Sequence, residues 1–362
     1  MKPLLLSFIT LSFFLSCDRF IGIENIPSYR TIIAYVAVDN DLSEDAFENI
    51  RDMELGFEEK GVNLIVFIDP DNDSPHILRI KKGGSTRIKT YQEFNSAEPG
   101  NMKKVLNDII SQYPAEQYGL ILLSHGSSWM PAGSQLRSFS WDNGIQMDIN
   151  DLADALPVRF DFILMDVCLM SSVEVVYELK DKADYIIASA SNIVYTGFPY
   201  KMVIPELIQP VPNLKDVAEN FFNYYDRLSG DYRTATISLI NTGEMDSMAI
   251  ITNQLLIDNV FDITKFDRKS VQRLDLYDEQ YAFDFLDFFE KAFPDVNKHK
   301  LKEQLNKVVL FQAHTPRIID EFDIHVFCGL SCYIPLSQRS DINTFYRHLK
   351  WCQDSGFYRF FQ

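Results

Sequence analysis

The chain has 362 residues and a formal net charge of −17, with 34 Lys and Arg against 51 Asp and Glu. Such a balance excludes the ordinary nucleic-acid binder, which needs clustered Lys and Arg for phosphate contacts, and no such partner is expected. With 28 Phe and 17 Tyr the chain has ample material for a large core, and its length suits one enlarged domain rather than several.

The N-terminus reads as an export signal. Lys2 precedes an uncharged apolar stretch, Leu4 to Leu15, too short to span a bilayer and of the length of a secretory core. It ends in Phe14-Leu15-Ser16-Cys17, similar to a bacterial lipoprotein processing box, in which the Cys is lipidated and becomes the new N-terminus. Residues 1–16 are therefore expected to be removed, Cys17 to carry lipid, and 17–29 to be a tether. A cleaved signal with an incidental Cys is the alternative. Membrane contact is expected only through the anchor, on the periplasmic or cell-surface side.

From Thr31 the chain alternates strand and helix. Thr31 to Val38 is an apolar, β-branched run closed by Asp39-Asn40-Asp41, hence a buried strand. Ser43 is placed to cap a helix running to about Lys60, with Gly61 beyond it. Val62 to Asp69 is a second strand, and His76 to Ile80 with Ser85 to Gln92 reads as an edge hairpin. Met102 to Tyr113 is an amphipathic helix. Tyr118 to Ser124 is a strand running into His125-Gly126, and Asp151 to Leu156 is a short helix. Phe160 to Val167 is a strand delivering Cys168, followed by a helix from Ser171 to Lys180. Further strands are expected at Tyr185 to Ser189, Thr234 to Asn241 and Ile324 to Ile334. The Lys298 to Lys307 cluster has the spacing of a solvated helix face, and a last helix runs from Asp341 to Trp351. Alternation of this kind predicts parallel β-α-β units, a mostly parallel central sheet covered by helices on both faces.

Of the five cysteines, Cys17 is assigned to lipid, and four thiols in so long a chain are no disulfide scaffold. On a strand, Cys328 and Cys332 stand ~13 Å apart, too far to bridge, and with His325 they spread too widely to hold a metal.

Ligands and catalytic groups in open parallel sheets gather beyond the carboxyl ends of strands. Two strands here end in reactive residues, one in Ser124-His125-Gly126 and one in Asp166-Val167-Cys168. A thiol beside an imidazole suits nucleophilic catalysis, because the thiolate attacks and the His protonates the leaving group. The N–H groups of Gly126 and Cys168 are candidate oxyanion donors, and the helix after Cys168 is expected to turn its positive end toward the thiol. The plain alternatives are a buried core Cys and a His-Gly turn.

The segments Phe162-Ile163-Leu164-Met165-Asp166-Val167-Cys168-Leu169-Met170 with Glu174, and Leu122-Leu123-Ser124-His125-Gly126 with Trp129, resemble the clostripain-like (C11) cysteine peptidases. So do Tyr35 to Leu42, Ala183 to Ser189, Gly197-Phe198-Pro199-Tyr200 and Gly329 to Pro335, in the family's order. The resemblance implies a caspase-like α/β sandwich, with a catalytic core over 30–240 and a C-terminal α/β extension over 241–362. It implies an endopeptidase acting on peptides or proteins through a Cys168–His125 dyad. It also implies that Asp166 lines a P1 subsite for Arg or Lys, a strand-end carboxylate bound by backbone N–H groups being the alternative. One departure stands out: Thr196 occupies the place of the family's second pocket acid. The loop from Trp129 to Asp142, with Arg137 its one basic residue, is a place for activating self-cleavage or simply a surface loop.

Some relatives use calcium, but the turns at Asp39 to Asp41 and Asp69 to Asp73 lack the ligand spacing of an EF-hand. Turn chemistry explains them, so no cofactor and no metal are assigned. Two other readings remain: a catalytically silent surface lipoprotein of the same fold, acting as a binding or scaffold protein, and an enzyme using the dyad on a non-peptide acyl group.

Overall fold

A computed structural model describes residues 28–132, 139–142 and 145–361. The expected signal peptide, Cys17 and Arg137 lie outside the described residues.

The first strand, β1 (Ser28–Val38), begins inside the segment expected to be tether and is buried from Arg30 onward. Helix α1 (Ser43–Gly56) follows. It ends four residues before the expected Lys60, for two reasons. A Cβ at Gly56 would come within 3.0 Å of the Tyr200 and Lys201 carbonyl oxygens, and Phe57 turns extended to bury its ring. Nor does Ser43 cap the helix. Its hydroxyl accepts from the N–H of Asp71, and the Asn40 side chain instead accepts from the N–H of Leu42, 2.9 Å away.

Strand β2 (Val62–Pro70) leads into the hairpin β3 (His76–Lys81) and β4 (Gly84–Thr90). Helix α2 (Pro99–Gln112) and strand β5 (Ala115–Leu123) come next. A small antiparallel ribbon, β6 (Phe139–Asp142) and β7 (Ile145–Met147), occupies the end of the loop expected to be irregular. Helix α3 (Ile149–Ala155), strand β8 (Phe160–Asp166), helix α4 (Val173–Leu179) and strand β9 (Ala183–Ala188) continue the alternation. Helices α5 (Tyr200–Leu207) and α6 (Leu214–Asp226) precede strand β10 (Thr236–Asn241) and helix α7 (Met245–Asp258).

Among the described residues the main sheet has nine strands, and its order includes the run β9-β8-β5-β1-β2. Those five are mutually parallel, as the alternation requires. Strand β10 adds antiparallel to β9 on one side, and the β3–β4 hairpin adds antiparallel to β2 on the other. Successive residues of β1 feed opposite cores. Ile33, Tyr35 and Ala37 meet side chains of α2, α3 and α4, while Ile32, Ala34 and Val36 meet α1, α5 and α6. Both faces are covered, which is why β1 is apolar from Ile32 to Val38 rather than alternating.

The C-terminal third departs most from expectation. A two-residue strand, β11 (Phe283–Asp284), opens helix α8 (Phe285–Ala292), and α9 (His299–Val308) feeds an unforeseen strand, β12 (Val309–His314). Strand β12 pairs antiparallel with β10 and closes that edge of the main sheet. Its apolar run Val309-Leu310-Phe311 is short and follows α9 directly, so nothing in the sequence separates it from the helix. The basic cluster is solvated over most of α9, but Lys298 is buried and donates to the carbonyls of Phe293 and Val296.

The expected strand at Ile324 to Ile334 is mostly irregular, with only Ser331–Cys332 paired to β11. Gly329, at φ +93°, breaks the pleat, and its carbonyl accepts from the hydroxyls of Ser171 and Ser238, each at 2.7 Å. Cys328 and Cys332 are buried free thiols. The expected last helix is two, α10 (Ser340–Tyr346) and α11 (Lys350–Asp354). Glu174 of α4 joins this third to the core: fully buried, it accepts from the Tyr333 N–H and the Tyr346 hydroxyl, each at 2.9 Å. Burial raises its carboxyl to about 7.

Candidate active site

Strands β5 and β8 are neighbours, with Leu123 opposite Asp166, the last residue of β8. Their carboxyl ends therefore release His125 and Cys168 at the same end of the sheet, where both line one cleft. Strand β1 is the next neighbour of β5, with Val36 opposite Leu123. The turn after β1 carries Asp41 to the same end, where its Oδ1 stands 2.6 Å from His125 Nε2. Three adjacent strand ends thus present a thiol, an imidazole and a carboxylate. The Ser124 hydroxyl donates to the Ala37 carbonyl at 2.6 Å and ties the β5 exit to β1.

Gly126 is where the two reactive segments touch. A Cβ there would lie 2.2 Å from Val167 Cγ1 and 3.5 Å from the Cys168 carbonyl oxygen. No larger residue fits unless Val167 repacks or the strand ends move apart.

Cys168 is only partly buried as a residue, but its sulfur is lodged against the chain at Asn192 and Ile193. The Ile193 N–H donates to Sγ at 3.3 Å. Burial pushes the thiol's pKa up, and the Asp166 carboxylate beside it adds to the rise. The expected help from the helix dipole is not realised. Helix α4 starts five residues after Cys168, and Ser172 already satisfies its first turn by accepting from the Val175 N–H. Between them Leu169 sits at φ +66°, a conformation uncommon for a branched side chain. It is held by its N–H donating to the Ser191 carbonyl at 3.0 Å.

Asp166 is 6% exposed. Its Oδ2 accepts from the Phe198 N–H at 3.0 Å and the Tyr200 hydroxyl at 2.9 Å. Gly197 makes this cradle possible, because at φ +65° a Cβ there would stand 2.4 Å from the same oxygen. Burial raises the carboxyl to about 6, against the two donors, which lower it. Asp166 thus has the bound-carboxylate environment and also lines the cleft. Thr196 turns elsewhere, its hydroxyl 2.9 Å from that of Tyr225.

The cleft beside Cys168 holds about 240 Å³. His125, Asp166, Asn192, Tyr195 and Asp45 are among its lining residues, and Thr196 is not. Sequence reasoning missed Asp41, Asp45 and the Asn192-Ile193 contact. Asp41 was legible only as part of an acidic turn, and its partner depends on strand order. Among the described residues, no group of three or more His, Cys, Asp or Glu side chains is arranged to hold a metal ion.

The sequence profile of the Clostripain family, peptidase C11, matches residues 34–344. Clostripain of Hathewaya histolytica is 24% identical over 220 residues, which are 49% of this chain and 42% of that protein. The chain therefore aligns with less than half the length of this curated relative. Among solved structures, an inactive zymogen C11 protease from Parabacteroides distasonis superposes with a TM-score of 0.82 at 29% identity, covering 91% of this chain and 98% of that one. A secreted C11 cysteine protease from Bacteroides thetaiotaomicron, in complex with an irreversible peptide inhibitor, gives 0.80 at 28% identity, over 91% and 99%. With a profile match across most of its length and solved C11 proteases superposing end to end, the chain belongs to the Clostripain family of cysteine peptidases, peptidase C11.

Proposed function

We propose that the protein is an exported cysteine endopeptidase in which Cys168 is the nucleophile and His125 the general base. The adjacency of β5 and β8 supports this reading, because His125 and Cys168 follow the ends of neighbouring strands, line one cleft, and Gly126 packs against Val167. His125 takes the Sγ proton as sulfur attacks the peptide carbonyl carbon. The N–H groups of Gly126 and Cys168 donate to the developing oxyanion. His125 then gives its proton to the departing amine, leaving a thioester. Water, deprotonated by His125, attacks that thioester and releases the acid and the thiol. Asp41 orients the imidazole and stabilises its cation. A peptide-library scan with wild type, Cys168→Ala and His125→Ala tests the assignment. Failure of wild type to cut any peptide, after deliberate nicking of the 129–142 loop, favours the silent-lipoprotein reading.

Activation fits a cut after Arg137. Both flanks of that loop are anchored: Trp129 is buried 4.7 Å from the Tyr346 ring, and Asp142 is buried with its carboxylate accepting from the Ser96 N–H at 2.6 Å. A cut between them leaves each end held. The Parabacteroides distasonis neighbour, described as an inactive zymogen, supports control of this kind. Wild type should convert to two bands on a denaturing gel, while Cys168→Ala and Arg137→Ala stay as one. Identical bands in wild type and Cys168→Ala would sink self-processing.

The cleft acid Asp166 supports Arg or Lys at P1, since a carboxylate at a pocket base suits a cation. Its carboxyl titrates at about 6, raised by burial. The sign follows: above that pH it is ionised and attracts a cation, and below it the attraction is lost. The kcat/KM ratio of Arg over norleucine substrates should therefore fall as pH drops through about 6. Because kcat/KM reports the free enzyme, the break in kcat should lie lower, a bound cation favouring the ionised carboxylate. A ratio flat from pH 5 to 8, a window taken about two units wide or more around the break, would remove Asp166 from P1 selection.

Export is supported by the N-terminal apolar stretch and by the secreted Bacteroides thetaiotaomicron neighbour. Among the described residues, no helix is long and apolar enough to cross a membrane. Anchoring through lipid on Cys17 predicts palmitate labelling of wild type in a bacterial host, abolished in Cys17→Ala. Equal labelling of both would refute the anchor.

A further inference from the structure

Asp166 cannot serve a P1 cation with all of its capacity, because its Oδ2 is already shared by the Phe198 N–H and the Tyr200 hydroxyl. Thr196 adds no charge, and its hydroxyl is spent on Tyr225. We propose that Asp45, on the first turn of α1, is the second carboxylate of the P1 subsite. The proposal rests on the reading above that the chain cuts after a basic residue.

Asp45 lines the same cleft as Cys168, His125 and Asp166, and Leu42, Ala46 and Asn49 from α1 and its approach line it as well. Residues 42, 45, 46 and 49 share one helix face, and this face lines the cleft together with Asn192 to Tyr195 and Gly197. The other acids nearby do different things. Glu44 is exposed on the adjoining face, and Glu48 lies 3.6 Å from Arg51. Asp45 is half-buried, and among the described residues its carboxylate takes part in no hydrogen bond or ion pair. Burial holds its pKa above the ordinary value, with the Glu44 charge adding to the rise.

A partly desolvated carboxylate with no partner is a cost to the folded chain. The N-terminal end of α1 offsets part of it, since an acid in a first helical turn faces the helix's positive pole. A cation entering the cleft would supply what is missing. The rest of the lining suits a long basic side chain. Leu42, Val194 and the ring of Tyr195 offer apolar surface for its methylenes, and both the buried Asp166 and the half-buried Asp45 line the same cleft. The acid that the family resemblance places at Thr196 is thus replaced from α1, by a helix rather than by a loop.

The test uses the full-length processed protein with paired fluorogenic peptides carrying Arg or norleucine at P1. Asp45→Asn should lower the Arg-over-norleucine ratio of kcat/KM about ten- to hundredfold, mainly through KM for the Arg peptide. Glu44→Gln removes the neighbouring exposed charge and should leave the ratio within about twofold, as expected for a screened surface charge. Thermal unfolding and alkylation of Cys168 check that each variant is folded with an accessible thiol. A wild type that prefers Arg, with that preference intact in Asp45→Asn, overturns the role of Asp45 alone. An equal fall in Asp45→Asn and Glu44→Gln also overturns it, because the effect is then the general field of the protein. A wild type with no preference for Arg overturns this proposal and the basic-P1 reading together.

Discussion

Cys168→Ala is expected to lower kcat/KM for peptide hydrolysis by roughly 10⁵-fold, with His125→Ala close behind and the double variant no worse than either. The non-additivity follows from the mechanism. Burial and the Asp166 charge hold the thiol's pKa above its ordinary value, so without His125 little thiolate exists at neutral pH. Without the sulfur, His125 has nothing to activate except water. Each removal disables the same step, and the second costs nothing more. Both variants should keep the fold, because Cys168 is only partly buried and His125 is 20% exposed at its side chain. Circular dichroism and thermal unfolding with active-site kinetics check this. Additive losses, or a Cys168→Ala variant that still turns over at a tenth of the wild-type rate, would mean the chemistry lies elsewhere.

Gly126→Ala should be the most damaging change that adds a single carbon. Its Cβ would stand 2.2 Å from Val167 Cγ1, well inside any real contact distance, so Val167 must repack or the ends of β5 and β8 must separate. A shift near 1 Å between a nucleophile and its base costs on the order of 10²-fold. Loss of a well-aimed oxyanion donor costs about as much again. Overpacking of this kind also destabilises the fold by about 1–3 kcal/mol. The clash is with one methyl group, which makes the cause testable. Val167→Ala removes Cγ1, so the double variant Gly126→Ala with Val167→Ala should recover part of the lost kcat. A double variant no better than Gly126→Ala would assign the defect to backbone conformation or to the N–H itself.

Much of the fold was legible because strand and helix periodicities are local. The apolar runs ending at Val38, Asp69, Ser124, Val167 and Ser189 locate all five parallel strands to within three residues at either end. Strand β12 was not legible, since its short apolar run follows α9 directly and its sequence alternates weakly. The stretch through Gly329 reads as strand by composition. It is irregular because hydroxyls from Ser171 and Ser238 capture a carbonyl that a ladder would use.

By itself the sequence determined that reactive residues stand at strand ends: His125-Gly126 after one, Cys168 after another, with an acid two residues before the thiol. A residue's place at the end of a strand is a local matter, decided by where the apolar run stops. Tertiary structure alone decided which ends are neighbours and which way each side chain faces. The order β8-β5-β1 brings Asp41 to His125 across 84 positions of chain. The packing of α1 puts Asp45 in the cleft, and the hydroxyl of Tyr225 draws Thr196 out of it. Those choices rest on long-range burial and on hydrogen bonds made in loops without periodicity, where sequence spacing carries no direction.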